Sequence, residues 1–142
     1  MNQNQHSDSK SEENYQKPEL KPARRLAESF RYAFQGISYS LRTQRNMRIH
    51  FIVSVLVLII AAILRLQPLE WVALLICMVL VIGSELTNTA IEATVDLASP
   101  EKHKLAKIAK DSAAAAVLVF AVFSAVTGLL IFIHAALRLM HH

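Results

Sequence analysis

Glycine and cysteine are scarce in this chain of 142 residues, which contains three glycines and one cysteine. The chain has no GxxxxGK[ST] motif and no GxGxxG motif, so a P-loop fold and a protein-kinase fold are both excluded. It also lacks the CxxC and HExxH patterns of common metal sites. The lone Cys77 lies in an apolar run without a partner for an intrachain disulfide, and we expect it to be a small apolar core residue.

Hydrophobic residues make up 54% of the chain and are concentrated in three runs, at residues 49–64, 71–84 and 112–137. A helix that spans the ~30 Å hydrocarbon core of a bilayer needs roughly 20 residues. The third run is long enough by itself, and the first two become long enough if their polar flanks are helical. The sequence therefore predicts an all-α integral membrane protein with three spans, at about 49–65, 69–97 and 109–138.

The N-terminal part of the chain is polar and then amphipathic. Residues 1–22 contain no apolar face, so we expect a disordered tail before a domain at residues 23–142. Within residues 23–48, apolar side chains recur at steps of three and four among arginines, which predicts an amphipathic helix on the membrane surface. Anchoring of the chain and a binding role are equally good interpretations of this helix.

Basic residues predict the orientation in the membrane, because cytoplasmic loops carry an excess of lysine and arginine. Those before the first span are Arg24, Arg25, Arg31, Arg42, Arg45 and Arg48, and those between the second and third are Lys102, Lys104, Lys107 and Lys110. The turn at residues 65–70 has only Arg65, and the C-terminal end has Arg138. We therefore expect the N-terminus and the loop before the third span in the cytoplasm, and the turn and the C-terminus outside.

Four polar residues follow the second apolar run, and they are Glu85, Asn88, Glu92 and Asp96. At about 100° per residue, all four share one helix face about 80° wide. If the span begins outside near Leu69, Glu85 lies ~24 Å deeper, close to the inner edge of the hydrocarbon core. The other three residues then step out into the cytoplasm. This face would extend from the level of lipid headgroups to a place that a soluble nucleotide reaches.

A carboxylate at that depth is costly in free energy and is a functional candidate by default. Glu85 suits a general base acting on a lipid hydroxyl, and the more hydrated Glu92 suits a hard cation such as Mg²⁺. Asn88 can orient either partner, and Lys110 beside Asp111 can offset phosphate charge. The structural alternatives are that Glu85 makes an interhelical hydrogen bond or pairs with Lys110, and that Lys110 is an interfacial anchor.

Two sequence blocks resemble the prokaryotic diacylglycerol kinase family, small three-span membrane kinases that include undecaprenol kinases. One is E-x-x-N-T-A-I-E-A-x-V-D at residues 85–96, and the other joins E-x-H at 101–103 to A-K-D-x-A-A-A-A-V at 109–117. The resemblance covers roughly residues 24–138. It implies a homotrimer in the bacterial inner membrane, with active sites between protomers. It also implies that Mg²⁺ and ATP are used to phosphorylate a lipid alcohol in phospholipid or cell-envelope lipid recycling.

The resemblance further implies roles for individual residues. Glu85 would be the catalytic base, and Glu92 would ligate the metal and so hold the ATP phosphates. Nucleotide contacts would also come from Arg25, Tyr32, Gln44, Glu101, His103, Lys110 and Asp111. Asn88 and Asp96 would be supporting polar groups on the same helix face.

One position departs from the family pattern. The family has E-R-N-F-x-I-H before the first span, whereas this chain has Q-R-N-M-R-I-H at residues 44–50, so Gln44 stands at an expected metal-binding glutamate. An amide oxygen can ligate a cation, but it lacks the charge that attracts one. An inactive relative that keeps the fold is therefore an alternative to a kinase.

A small membrane transport or assembly subunit is a further alternative. A transporter should carry its ionisable groups near the midplane, and here they cluster at one interface. For a kinase, the acceptor stays open between diacylglycerol and undecaprenol, because both offer a hydroxyl at the interface and differ in their apolar tails.

Overall fold

The computed structural model describes residues 22–99, 101 and 103–140. They form four helices, α1 (Pro22–Thr43), α2 (Arg45–Ile63), α3 (Pro68–Ala98) and α4 (Lys104–Met140), with no strand in the described part of the chain. Helices α2, α3 and α4 are each long and apolar enough to cross a membrane. The predicted all-α fold with three apolar spanning helices is therefore confirmed.

The tail predicted at residues 1–22 lies outside the described residues except for Pro22. This proline opens α1, where its missing N–H costs no helical hydrogen bond. The chain divides into two compact units after Phe34. In the first unit, α1 is a regular amphipathic helix whose apolar side chains are uncovered, with Leu26 and Phe30 61% and 60% exposed.

The junction between the surface helix and the first span differs from the prediction of a surface helix at residues 23–48. The chain breaks at Gln44, whose backbone is extended with φ −98° and ψ 120°, so α1 ends at Thr43 and Arg45 opens α2. Residues 45–48 are polar apart from Met47, and this composition favours assigning them to the surface helix. In the structure residues 45–48 form the first turn of α2, and Met47 is only 1% exposed.

The turn predicted at residues 65–70 connects α2 to α3 through residues 64–67. Arg65 adopts a positive φ of 50°, which reverses the chain direction. Pro68 then begins α3, and the backbone N–H of Gln67 donates a 2.7 Å hydrogen bond to Glu70 Oε2. The interruption at Pro68 therefore works as a helix start, with a carboxylate satisfying an N–H before the first turn.

The far end of α4 closes over this turn. Arg138 Nη1 lies 3.1 Å from Glu70 Oε1, and its Nη2 donates to the Arg65 carbonyl oxygen at 3.2 Å. Beneath them a small apolar core gathers residues of three helices and the turn, namely Ala61, Leu66, Leu74 and Ala135. One guanidinium thus joins the start of α3, the turn and the end of α4.

Helices α3 and α4 pack along their length through small side chains. A Cβ on Gly128 would meet Leu74 Cδ2 at 3.7 Å, and Ser124 Oγ donates to the Cys77 carbonyl oxygen at 3.3 Å. Most large apolar side chains on these helices stay exposed within the single chain, among them Phe123 at 69%. Such a surface suits lipid tails or another membrane helix.

Candidate active site

Glu85 lies on α3 and is 1% exposed. Its Oε2 is buried and has no hydrogen-bond partner among the described residues. His50 of α2 and Glu92 of α3 are the ionisable side chains close to it. A buried carboxylate oxygen without a donor is free to accept a hydrogen bond from a bound hydroxyl, which is the geometry that a general base requires.

Two turns further along α3, two amides hold the carboxylate of Glu92. Gln44 Nε2 donates to Glu92 Oε2 at 3.0 Å, and Asn88 Nδ2 donates to Glu92 Oε1 at 3.3 Å. The Oδ1 atom of Asn88 is buried and has no partner in the described part of the chain. The junction of α1 and α2 is therefore connected to α3 through a hydrogen bond from a neutral amide to a carboxylate.

The oxygen atoms of this cluster suit a hard cation, although they form an incomplete cage. Within residues 22–99, 101 and 103–140, no three His, Cys, Asp or Glu side chains gather to hold a metal ion. Glu92 offers one carboxylate, and Asn88 Oδ1 offers an unpartnered amide oxygen. Mg²⁺ commonly uses one or two carboxylates and takes its other ligands from phosphates and water. The residues present therefore fit a magnesium ion that is also held by a nucleotide.

A cavity of about 620 Å³ opens between the end of α3 and the start of α4. Four of the residues predicted to contact the nucleotide line it, and they are Glu101, His103, Lys110 and Asp111; Asp96, predicted as a supporting polar group, lines it as well. Cavities that bind small molecules have volumes of roughly 300–1,000 Å³. The space is thus adequate for a nucleotide, and its walls carry charges of both signs.

Two of the lysines that line this cavity are paired with carboxylates. Lys110 Nζ donates a hydrogen bond to Asp96 Oδ1, across the loop between α3 and α4. Lys107 Nζ lies 3.1 Å from Asp111 Oδ2, one turn along α4. The alternative that Lys110 pairs with Glu85 is wrong, because the ammonium group binds Asp96 instead.

The two predicted nucleotide-contacting residues of the surface helix lie in the first unit. Arg25 and Tyr32 are both exposed. The guanidinium of Arg31 lies 5.1 Å from the centre of the Tyr32 ring, within the range of a cation–π contact. Their role in a nucleotide site stays a prediction.

Sequence reasoning missed three residues around the site. Lys104 and Lys107 line the cavity beside Lys110, and their spacing of three residues on one helix could have shown that they share its face. His50 was noted only as part of a sequence block. Its place near Glu85 depends on the packing of α2 against α3, which no local pattern gives.

Comparison with known proteins identifies the family. A family model described as prokaryotic diacylglycerol kinase matches residues 31–132. The chain is 45% identical to the undecaprenol kinase of Bacillus subtilis (strain 168) over 109 residues, which are 77% of this chain and 89% of that protein. It is 46% identical to the diacylglycerol kinase of Synechocystis sp. over 104 residues, 72% of this chain and 59% of that protein.

A more distant relative is the diacylglycerol kinase of Escherichia coli (strain K12), which is 30% identical over 103 residues, 72% of this chain and 84% of that protein. The match to the family model and the identity to several kinases agree with the three apolar helices and the polar face of α3. The chain therefore belongs to the prokaryotic diacylglycerol kinase family, a family of membrane lipid kinases.

Proposed function

We propose that this protein transfers the γ-phosphoryl group of ATP to the hydroxyl of a lipid alcohol, at the cytoplasmic face of the bacterial inner membrane. The observation that carries the proposal is the polar face of α3. It begins at the buried Glu85, continues through the amide-held Glu92 and ends at Asp96 on the wall of a nucleotide-sized cavity. One helix face thus connects the depth of a lipid hydroxyl with a space open to a soluble nucleotide.

Glu85 is proposed as the general base. The hydroxyl of the acceptor donates a hydrogen bond to the unpartnered Oε2, and the proton passes to this oxygen as the hydroxyl oxygen attacks the γ-phosphorus. The bond between the γ-phosphorus and the bridging oxygen breaks, and ADP leaves. Phosphoryl transfer of this kind depends mainly on positioning and charge stabilisation, so burial of the base matters because it excludes competing water.

The phosphates are proposed to bind where the cavity offers cations. Lys110 and Lys107 can exchange their carboxylate partners for phosphate oxygens, and Lys104 adds a third ammonium group. Glu101, His103 and Asp111 are proposed to contact the rest of the nucleotide. Arg25 and Tyr32 are kept as nucleotide-contacting candidates on the strength of the family resemblance.

Mg²⁺ is proposed as the cofactor. When bound, it neutralises phosphate charge and orients the phosphate oxygens. Glu92 would ligate it, and Asn88 Oδ1 is a second oxygen within the same cluster. Gln44 contacts the same carboxylate and is the third member of this proposed metal site.

The family resemblance also supports a homotrimer, with active sites between protomers. The exposed apolar side chains of α2, α3 and α4 leave ample surface for such contacts. An orientation with the N-terminus in the cytoplasm is proposed from the distribution of basic residues. This orientation would place the cavity and the ATP pool on the same side of the membrane.

A direct assay tests the proposed reaction. The purified chain in lipid nanodiscs is given γ-labelled ATP and Mg²⁺ with diacylglycerol, undecaprenol or a triacylglycerol, which lacks a free hydroxyl. We expect labelled phosphate on diacylglycerol or undecaprenol and none on the triacylglycerol. The relative rates identify the acceptor, and label on neither alcohol would contradict the proposal.

One observation favours the alternative of an inactive relative. The side chain of Gln44 donates a hydrogen bond to Glu92, the proposed metal ligand. This alternative predicts no transfer by the native chain and transfer by Gln44→Glu. The kinase proposal predicts transfer by both proteins, with a lower Mg²⁺ concentration for half-maximal rate in Gln44→Glu. A Mg²⁺ titration of the initial rate for both proteins separates the two.

A further inference from the structure

We propose that Gln44 is a positioning residue that holds Glu92 by donating a hydrogen bond, so that the divalent cation binds only together with the nucleotide. This inference rests on the proposed function for the identity of the site. It goes beyond that function because it assigns Gln44 a role other than metal ligand, and it sets the order in which the cation and nucleotide bind.

The direction of the hydrogen bond follows from the chemistry of the two groups. An ionised carboxylate has only acceptor atoms, so the Gln44 atom that lies 3.0 Å from Glu92 Oε2 must be the amide nitrogen. The amide oxygen of Gln44 is then directed away from this carboxylate oxygen. A cation on Oε2 would face an N–H donor, which repels it, unless the amide rotates.

Glu92 is held on both sides. Asn88 Nδ2 donates to the other carboxylate oxygen at 3.3 Å, so both oxygens accept from neutral amides. Neither donor adds positive charge, so the carboxylate is oriented while its negative charge remains available. Among the described residues, no Lys, Arg or His forms an ion pair with Glu92.

The backbone at Gln44 supports a dedicated role for its side chain. Gln44 is the residue that precedes α2, and its side chain makes no capping hydrogen bond to that helix. It reaches instead to α3, 48 residues away along the chain. The hydrogen bond therefore fixes the junction between α1 and α2 relative to the carboxylate.

The site as built has too little negative charge to retain a divalent cation alone. Glu92 supplies one carboxylate to the cluster, and a glutamate at position 44 would supply a second. No group of three acidic, histidine or cysteine ligands exists in the described part of the chain. ATP phosphates supply the missing oxygen ligands and charge. The cation is thus expected to arrive with the nucleotide.

Metal binding without nucleotide tests this order. Mn²⁺ serves as the probe, and its free concentration is followed by electron paramagnetic resonance with the purified chain in nanodiscs. We expect the native protein to bind no more Mn²⁺ than Gln35→Glu does. Gln35 is an exposed glutamine on α1, so this variant controls for the added negative charge. Gln44→Glu should bind Mn²⁺ at least about tenfold more tightly, because two facing carboxylates attract it. Native protein that binds Mn²⁺ as tightly as Gln44→Glu would overturn the proposal.

Thermal stability without metal tests the donor role itself. In EDTA, the melting temperature of the native protein should exceed that of Gln44→Glu, because two carboxylates repel each other in the variant. Added Mg²⁺ should raise the melting temperature of Gln44→Glu and leave that of the native protein unchanged. Gln44→Ala and Glu92→Ala should each lower the melting temperature in EDTA, and the double variant should be no worse than the lower single variant. Additive losses would mean that the hydrogen bond does not position Glu92.

These measurements need no turnover, so their outcome is distinct from that of the kinase assay. Suppose that the native protein retains no Mn²⁺ without nucleotide, that Gln44→Glu does, and that neither phosphorylates a lipid alcohol. This result would refute the proposed function while supporting the role of Gln44. An active kinase whose native form retains Mn²⁺ without nucleotide would support the proposed function and refute the role of Gln44.

Discussion

Lys110 Nζ donates a hydrogen bond to Asp96 Oδ1, and this contact joins the first part of α4 to the last turn of α3. Both residues line the cavity, and their side chains are 36% and 66% exposed. Lys110 is also the cation proposed to meet the ATP phosphates. The nucleotide must therefore compete with Asp96 for the same ammonium group.

We expect Asp96→Asn to lower the KM for ATP. The substitution leaves a neutral amide beside Lys110, and exposed ion pairs of this kind contribute about 0.2–1 kcal/mol. Freeing the lysine should therefore lower KM by up to about fivefold, with a smaller effect on kcat. Steady-state rates over a range of MgATP concentrations measure this.

Glu28→Gln is the matched control for Asp96→Asn, since Glu28 pairs with Arg24 at 3.6 Å on α1. It should leave the KM for ATP at the native value. A KM for ATP that rises in Asp96→Asn would show that Asp96 assists nucleotide binding and does not compete for Lys110.

The orientation in the membrane can be measured by cysteine labelling in intact cells. The background is Cys77→Ala, which keeps the carbonyl oxygen that accepts from Ser124. A cysteine at Gln67 should react with a membrane-impermeant maleimide, and a cysteine at Ser99 should react only after the cells are lysed. The opposite pattern would place the cavity outside, away from ATP, and would refute the proposed orientation.

Arg138→Gln should destabilise the protein without lowering its activity at permissive temperature. Arg138 and Glu70 are 20% and 13% exposed, and the guanidinium also binds the Arg65 carbonyl oxygen. Charge-assisted hydrogen bonds contribute about 1.5–3 kcal/mol, so loss of this group should lower the melting temperature measurably. The cavity lies at the other end of α3, and kcat should therefore be unchanged.

His134→Gln provides the comparison for Arg138→Gln. Its Nε2 lies 3.9 Å from Glu70 Oε1, and its side chain is 72% exposed. We expect a much smaller change in melting temperature than for Arg138→Gln. Equal losses for both variants would mean that Arg138 is not the main link between the turn and α4.

Hydrophobic runs were sufficient to predict three spanning helices, since long apolar stretches allow few other structures. The shared face of Glu85 and Glu92 also followed from helical periodicity. The break at Gln44 did not, because a single extended residue leaves no mark in composition. The contact between Arg138 and Glu70 joins residues 68 positions apart, and only the packing of α4 against α3 brings them together.

The direction of the hydrogen bond between Gln44 and Glu92 could not be predicted from the sequence either. The resemblance put Gln44 next to a metal and suggested an oxygen ligand. An amide is both donor and acceptor, and the carboxylate of Glu92 decides which end faces it. The same holds for Lys110, whose partner in the absence of nucleotide depends on the geometry of the loop before α4.

Glu85 is proposed to remove the proton of a lipid hydroxyl during phosphoryl transfer, and the turnover of Glu85→Gln tests this role most directly. The amide keeps the size of the side chain, so the variant should fold and bind a labelled ATP analogue like the native protein. Because a general base contributes at least about 10²-fold, we predict transfer to diacylglycerol and undecaprenol at less than about a hundredth of the native rate. A folded variant that retains more than about a tenth of the native rate would contradict the account.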